Sequence, residues 1–380
     1  MAGEPLMAYR SPGLDAIEAA TRLVARRHDH DPSQPLGLDQ VKGRLRLMVD
    51  QVMSEGGLWD EDTAARAFGQ AEGDSVEAAH LVRTYRLSLP QLATTAVTDV
   101  AELVPLRRIV PVYRTPPGRQ ILGQTRDYLP RLLRTNETAA SDEDHDHRRP
   151  DDMLATPPAA PGPRACDTSA GPWPERIHEL LEARDLVVSR SAPGDPDPVD
   201  VASEPRILDQ DRSARLYLLA RAETAALVLH WYTHLLNEGQ MSPAVGGHGE
   251  VRVGRLPVRV PNPLTGGCAE VGEVRVTEAE AIENLDRHDE DTTRFDVGYG
   301  LCFGQNERKA LAISNLDIIL ERDRGRSEFE QLVLRTADGM DANGLLEHVK
   351  LPHYVTFRAA VDTKAELRAR NPHTDTGEAE

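Results

Sequence analysis

The sequence is poor in cysteine and in aromatic residues, and each shortage excludes a class of protein. Its three cysteines, Cys166, Cys268 and Cys302, form no C-x-x-C pair, which disfavours a disulfide framework, a zinc ribbon or an iron–sulfur cluster. Aromatic residues make up only 4% of the 380 residues, so we expect a core of Leu, Val, Ala and Ile. This cysteine usage makes the cytoplasm the expected compartment.

Positive charge and long apolar runs are scarce as well. The chain has 44 Lys and Arg against 62 Asp and Glu, a formal net charge of -18, which argues against a nucleic-acid partner because phosphate backbones select concentrated Lys and Arg. The longest apolar run, residues 216–236, is interrupted by Arg221 and Glu223, so it predicts a buried helix and no membrane role. Any anionic ligand must therefore meet a local basic pocket.

The pattern of elements predicts an α+β fold that begins with a helical N-terminal domain at residues 1–90. Residues 38–55 keep a helical apolar face that ends at Gly56 and Gly57. The pattern Asp74-x-x-Glu77 then predicts the start of a further helix. These signals indicate a small bundle of short helices.

A mixed α/β C-terminal domain with β-hairpins is predicted at residues 172–368. Residues 211–238 predict one long or broken buried helix, and the alternating valines of residues 250–276 predict strands. The pattern Thr277-x-x-Glu280 predicts the cap of a short helix after those strands. The domain is therefore expected to contain a hairpin between helices.

The remaining segments connect or extend these two domains. Residues 91–134 predict a strand, a Pro-Pro-Gly turn and a helix, and the strand is expected at residues 107–113. Residues 135–171 are acidic and proline-rich, a composition typical of a disordered insert. Residues 369–380 form a polar tail.

A glycine-rich segment with adjacent basic residues is the first candidate site. Gly298, Gly300 and Gly304 predict a turn before a helix that begins near residue 305, and Arg308 and Lys309 follow. Glycines let backbone N–H groups approach an anion, and a helix start adds unsatisfied donors, so the segment is a candidate phosphate site. The spacing matches neither a Walker A nor a Rossmann motif, and the glycines could equally serve tight packing.

Two histidine pairs are the candidate metal or acid–base residues. His348 and His353 flank Lys350 and lie across a proline-terminated segment, an arrangement suited to a divalent ion such as zinc or to proton transfer, or to two half-buried histidines. His230 and His234 share a helical face, but the sequence between them lacks the glutamate of a zincin. We expect this second pair to be packing residues.

Isolated carboxylates give a weaker signal. Asp127 stands out because it follows Gly118 and Gly123 in a stretch where backbone could approach a ligand. Asp50 and Glu55 are expected to be helix-surface charges. No serine or cysteine lies in a recognisable nucleophile elbow.

Several stretches together resemble the PhnI family, a subunit of the bacterial carbon-phosphorus lyase core complex. They occur in family order along nearly the whole chain: residues 15–20, 49–57, 73–79, 81–86, 118–123 with Asp127 and Tyr128, 298–310 and 350–355. The resemblance implies that methylphosphonate displaces adenine from the ribose C1′ of Mg-ATP to give ribose 1-methylphosphonate 5-triphosphate. Without phosphonate, water would take its place and the chain would act as a nucleosidase on ATP or GTP.

The resemblance also implies roles for the candidate residues. Arg308 and Lys309 would hold the triphosphate together with Lys350 and the backbone of residues 300–304. Asp127 would stabilise positive charge at C1′. His348 and His353, within the matching C-terminal motif, would bind a metal such as zinc or face the radical subunit of the complex. Beyond that possible zinc ion, no cofactor is implied.

Partners follow from the same resemblance. The expected partners are the core subunits G, H and J and the ATP-binding subunit L, in an assembly with two copies of this chain. The alternative is a scaffold that organises the core complex and completes a neighbouring subunit's site. A third hypothesis is a nucleotide-binding regulator that binds ATP without consuming it.

Overall fold

The computed structural model describes residues 15, 18–23, 26, 36–110, 175–188, 211–237, 247–284, 293–322, 328–340, 346 and 354–370. The chain divides into two compact units. The helical unit comprises Met1–Thr94, Phe303–Asn306 and Met340–Glu380, and the sheet unit comprises Thr95–Cys302 and Glu307–Gly339. The predicted domains, 1–90 and 172–368, are continuous in sequence. In the structure, by contrast, the helical unit also includes two later segments, Phe303–Asn306 and Met340–Glu380.

Four short helices form the core of the helical unit. They are α1 (Leu38–Arg44), α2 (Arg46–Gly56), α3 (Glu61–Gln70) and α4 (Ser75–Ser88). The predicted helix at 38–55 is confirmed, with a break at Leu45, and Asp74 caps α4 as predicted by accepting from the amides of Val76 and Glu77 at 2.9 and 3.2 Å. Val52 and Met53 are fully buried in its apolar core.

The sheet unit is built on four strands in the order β1-β2-β3-β4, and the β1–β2 and β2–β3 pairs are antiparallel. The strands are β1 (Val104–Ile109), β2 (Gly247–Pro261), β3 (Cys268–Asn284) and β4 (Phe295–Phe303). The predicted hairpin is confirmed: Asn262 donates its amide to the Gly267 carbonyl at 2.7 Å and accepts from Gly266 at 3.0 Å. The strand expected at 107–113 begins earlier, at Val104.

Two predictions in this unit are wrong. Thr277-x-x-Glu280 caps no helix but lies inside β3, because Thr277 and Ala279 are fully buried on one face of the sheet while Glu278 and Glu280 lie on the other. The alternation of side chains between the two faces of the sheet therefore outweighs the helix-capping pattern. Gly298 likewise forms no turn, since β4 continues through it.

Helices flank the sheet, and those on its apolar face share one hydrophobic core with it. The helices of the sheet unit are α5 (Ile177–Glu182), α6 (Arg212–Arg221), α7 (Thr224–Asn237), α8 (Glu307–Arg322) and α9 (Glu328–Thr336). The helix predicted at 211–238 is indeed broken, between α6 and α7. Asp317 of α8 accepts the Tyr299 amide at 2.9 Å and pairs with Arg212 at 2.6 Å, which fixes α8 to β4 and α6.

The observed elements confirm the α+β class, with helices first and the hairpin sheet later. A last helix, α10 (Tyr354–Arg370), belongs to the helical unit. Within the described residues, no helix has the length and apolarity that crossing a membrane requires. The predicted turn and helix at 111–134, the insert at 135–171 and the tail after Arg370 lie outside those residues.

Candidate functional site

Two of the three glycines of the basic segment pack against a helix. Gly298 and Gly300 lie on the face of β4 that meets α8, where their missing side chains let the two backbones approach closely. A Cβ on Gly300 would lie 2.8 Å from the Ser314 amide nitrogen and nearer still to the Ala310 carbonyl. The sequence left open whether these glycines bind phosphate or allow tight packing, and the structure shows tight packing at both Gly298 and Gly300. A ligand-binding role for Gly300 stays a prediction.

Of the three glycines, Gly304 alone adopts a backbone conformation that favours glycine. Its φ is +71°, in the left-handed region that favours glycine. The next residue, Gln305, donates its amide to Asp50 Oδ2 at 2.9 Å, and Arg46 Nη1 donates to Gln305 Oε1 at 2.9 Å. The loop entering the predicted helix is thus already held by a carboxylate and a guanidinium of the helical unit.

The two cations at the start of α8 differ sharply in accessibility. Arg308 is exposed, and among the described residues no carboxylate is paired with it. Lys309 is fully buried. Glu307 pairs with Arg107 of β1. A phosphate can therefore contact Arg308 directly. It can reach the Lys309 ammonium only after the Lys309 side chain, or the residues that bury it, move.

An ionic network covers the other face of the sheet. Glu250 and Arg252 of β2 lie opposite Glu280 and Glu278 of β3. Arg252 pairs with Glu278, and Arg176, immediately before α5, binds Glu278 at 2.9 Å and Glu280 at 2.5 Å. Buried ions require such partners, because an unpaired buried charge is strongly unfavourable. The network therefore fixes the start of α5 against the sheet.

Burial perturbs the titration of this network. Burial raises the pKa of Glu280, and the charges of Glu278 and Glu250 add to the effect although Arg176 opposes it. Burial and then the neighbouring Glu278 carboxylate raise the pKa of Tyr299, which stays a neutral phenol. The Tyr299 hydroxyl lies beside Glu278, but it makes no hydrogen bond of normal geometry within the described residues. Glu280 therefore holds a proton more readily than a solvent-exposed glutamate does.

His230 and His234 pack as predicted. Their ring centroids lie 6.5 and 5.1 Å from that of Phe329, and His230 Nε2 is 3.0 Å from Thr336 Oγ1. Burial lowers the pKa of His230, so its ring is neutral near pH 7. The described part of the chain contains no group of three or more His, Cys, Asp or Glu side chains arranged to bind a metal.

Asp127, His348, Lys350 and His353 lie outside the described residues, so their roles stay predictions.

Asp50 and Glu55 were missed as site candidates, since the expectation of surface charges is wrong. Both side chains are fully buried. For Glu55 the sequence signal was the adjacent Gly56, the last residue of α2: a Cβ there would lie 2.8 Å from Val82 Cβ, so α4 lies very close to α2 at this end. Asp50 is buried instead against the loop that contains Gly304 and Gln305, a contact that no local sequence signal indicates.

Comparisons with known proteins give a consistent result. A family model described as Bacterial phosphonate metabolism protein (PhnI) matches residues 10–371. The putative C-P lyase subunit protein HtxH of Stutzerimonas stutzeri is 34% identical over 367 residues, covering 94% of each chain. Two proteins named Alpha-D-ribose 1-methylphosphonate 5-triphosphate synthase subunit PhnI are similar: that of Rhizobium meliloti (strain 1021) is 33% identical over 96% of this chain and 95% of its own, and that of Escherichia coli (strain K12) is 34% identical over 95% and 98%.

Proposed function

The chain belongs to the bacterial phosphonate metabolism protein (PhnI) family, and on this basis we propose that it is a subunit of a carbon-phosphorus lyase complex that acts on ATP. The observation that carries the proposal is similarity over nearly the whole chain to two proteins named as subunits of alpha-D-ribose 1-methylphosphonate 5-triphosphate synthase. The proposed activity is that of a nucleosidase-like transferase. A methylphosphonate oxygen replaces adenine at the ribose C1′ of Mg-ATP.

The bond changes define what the protein must supply. The C1′–N bond to adenine breaks, a C1′–O bond to methylphosphonate forms, and adenine leaves with a proton. The sugar passes through an oxocarbenium-like state, so a carboxylate near C1′ and a proton donor near the base would lower the barrier. With water as the acceptor, the products would be ribose 5-triphosphate and free base.

We assign the triphosphate to the segment that contains Gly300, Gly304, Arg308 and Lys309, together with Lys350. The exposure of Arg308 supports its part in this assignment, since a cation at the start of a helix adds to the positive end of the helix dipole. Buried Lys309 would contribute at a second stage, after rearrangement. The positions of Gly298 and Gly300 against α8 give these glycines a packing role in addition.

The other roles rest on the family resemblance. Asp127 is proposed as the carboxylate near C1′. His348 and His353 are proposed as zinc ligands, since two imidazoles belong to the donor set that zinc prefers. A zinc ion held there would supply Lewis acidity or structural cohesion.

The proposed partners are the core subunits G, H and J and the ATP-binding subunit L, and the proposed compartment is the cytoplasm. The names of the relatives support a role as a subunit, since all three are called subunits. This wording also supports a second candidate, a non-catalytic scaffold that completes a neighbour's site. The burial of Lys309 favours that candidate, because a buried cation is less available to substrate.

A base-release assay separates the two candidates. The chain, alone and assembled with its partner subunits, is incubated with Mg-ATP with and without methylphosphonate, and adenine is measured by chromatography. The enzyme proposal predicts adenine release that is lowered by Arg308→Ala. The scaffold proposal predicts that Arg308→Ala leaves base release unchanged, whereas His348→Ala or His353→Ala impairs only carbon-phosphorus cleavage by the assembled complex.

A further inference from the structure

The loop Phe303–Asn306 is held by several contacts within the helical unit. Gly304 adopts φ +71°, and a Cβ at this position would lie 2.6 Å from Asp50 Cβ and 2.9 Å from Asp50 Cγ. Any larger residue would therefore be strained by its backbone and would also displace Asp50. Phe303 adds a ring contact with Trp59 at a centroid distance of 6.2 Å. The loop conformation thus depends on α2 and on the segment that follows it.

Asp50 forms the central contact of this arrangement. Its side chain is fully buried, and Oδ2 accepts the Gln305 amide at 2.9 Å. Arg46 Nη1 lies 3.6 Å from the same oxygen and donates to Gln305 Oε1 at 2.9 Å. The carboxylate and the guanidinium therefore hold both the main chain and the side chain of Gln305.

Burying a carboxylate is unfavourable, and an apolar side chain of similar size would often fill such a site with equal or greater stability. A charged acceptor nevertheless fixes one backbone amide in one direction, which an apolar residue cannot do. This hydrogen bond therefore holds the loop backbone in one conformation, at Gly304 in particular. Precision of this kind is what a polyphosphate-binding backbone requires.

We propose that Asp50 is a positioning residue for the triphosphate, acting through the Gly304-Gln305 backbone. This inference rests on the proposed function, because it takes Gly304 as part of the triphosphate-binding segment. Asp50 itself does not touch the substrate. Its carboxylate already accepts the Gln305 amide, so Asp50 would act on the triphosphate only by fixing the direction of the adjoining backbone.

The test compares Asp50→Ala, Asp50→Asn and Asp62→Asn in the full chain, assembled with its partner subunits. Asp62 is the matched control, because it is a carboxylate of α3 that is 56% exposed and pairs with Lys42. Loss of a hydrogen bond to a charged group changes affinity by about tenfold. Asp50→Ala should therefore raise the KM for ATP about tenfold and leave kcat within about twofold.

The Asp50→Asn variant distinguishes a positioning role of Asp50 from a general loss of folded structure. In Asp50→Asn, the side-chain amide oxygen can still accept from the Gln305 amide, so the KM should stay within about threefold of wild type. Asp62→Asn should match the wild type. An unchanged KM in a folded Asp50→Ala variant, or a lower KM in Asp50→Asn, would overturn the proposal, since the latter would mean that the carboxylate competes with phosphate.

Two further measurements keep the proposal testable. If circular dichroism shows that Asp50→Ala is unfolded, Arg46→Ala loosens the same loop through Gln305 Oε1 and should raise the KM for ATP about threefold; an unchanged KM counts against the proposal. If the wild type releases no adenine, the proposed function has failed, and equilibrium dialysis with ATP still decides the inference. Equal ATP binding by wild type and Asp50→Ala would then contradict it.

Discussion

Replacing Gly300 by alanine distinguishes a packing glycine from a ligand-binding glycine. The new Cβ would lie 2.8 Å from the Ser314 amide nitrogen and still closer to the Ala310 carbonyl oxygen, whereas ordinary contacts begin at 3.4 Å. Both neighbours are backbone atoms of α8, which cannot rotate away as a side chain can. The helix must therefore shift away from β4.

The expected loss of stability follows from two opposing effects. Overpacking of a well-packed core typically destabilises by about 1–3 kcal/mol, and contact with backbone places this site near the upper end. Alanine also restricts the unfolded chain, which returns about 0.4–1 kcal/mol at a position without positive φ. The free energy of unfolding should therefore fall by about 2 kcal/mol.

Urea denaturation followed by circular dichroism measures this change. Gly267→Ala in the hairpin turn is the matched control, because among the described residues the only neighbour within 4 Å of its Cβ would be Thr265 Oγ1 at 3.9 Å, and its φ is not positive. The control should change stability by no more than about 0.5 kcal/mol. If Gly300→Ala proved as stable as the control but bound ATP more weakly, the packing argument would be refuted and a ligand role favoured.

Three further predictions address electrostatics and metal content. Burial raises the pKa of Glu280 above its ordinary 4.5, so the folded state holds this proton more tightly than the unfolded state does, and the free energy of unfolding should fall as pH rises from about 4.5 through the raised value. In a plot of the urea midpoint against pH, Glu280→Gln should make this fall less steep, and an unchanged slope would contradict the assignment. Arg308→Ala should raise the KM for ATP about tenfold without loss of stability, because the side chain is exposed; an unchanged KM in steady-state kinetics would remove Arg308 from the triphosphate site. His348→Ala and His353→Ala should each reduce zinc measured by mass spectrometry in the purified complex, with His230→Ala as the control that retains it; equal zinc in all three would exclude the predicted pair as ligands.

Much of the fold could be predicted because local signals agreed with tertiary packing. Asp74 combined a capping side chain with an apolar helical face, and the structure places it at the cap of α4. The alternating valines of residues 250–276 predicted strands, and the structure contains the expected hairpin, with Gly266 and Gly267 in its turn. At these positions propensity and hydrophobic period indicated the same element.

The wrong predictions fall where contacts between distant parts of the chain determine the secondary structure. Thr277 to Glu280 has a helix-capping pattern, but arginines outside β3 pair with Glu278 and Glu280 and make a buried strand with acidic residues favourable. Gly298 was expected in a turn because sequence shows a missing side chain without showing the helix that fills its place. Local sequence carries no information on such distant partners.

The candidate site was harder to predict for the same reason. The basic character of residues 308 and 309 is visible in the sequence, but the exposure of Arg308 and the burial of Lys309 depend on how α8 packs. Asp50 is separated from Gln305 by most of the chain, so their hydrogen bond could not be predicted from spacing. Family resemblance connected these segments without giving their geometry.

The most direct test of the proposed function is release of adenine from Mg-ATP by the chain assembled with its partner subunits, in the presence of methylphosphonate. We predict one ribose 1-methylphosphonate 5-triphosphate for each adenine released, detected together by chromatography and phosphorus NMR. Intact ATP after incubation, in an assembly that binds ATP, would contradict it and leave the scaffold role.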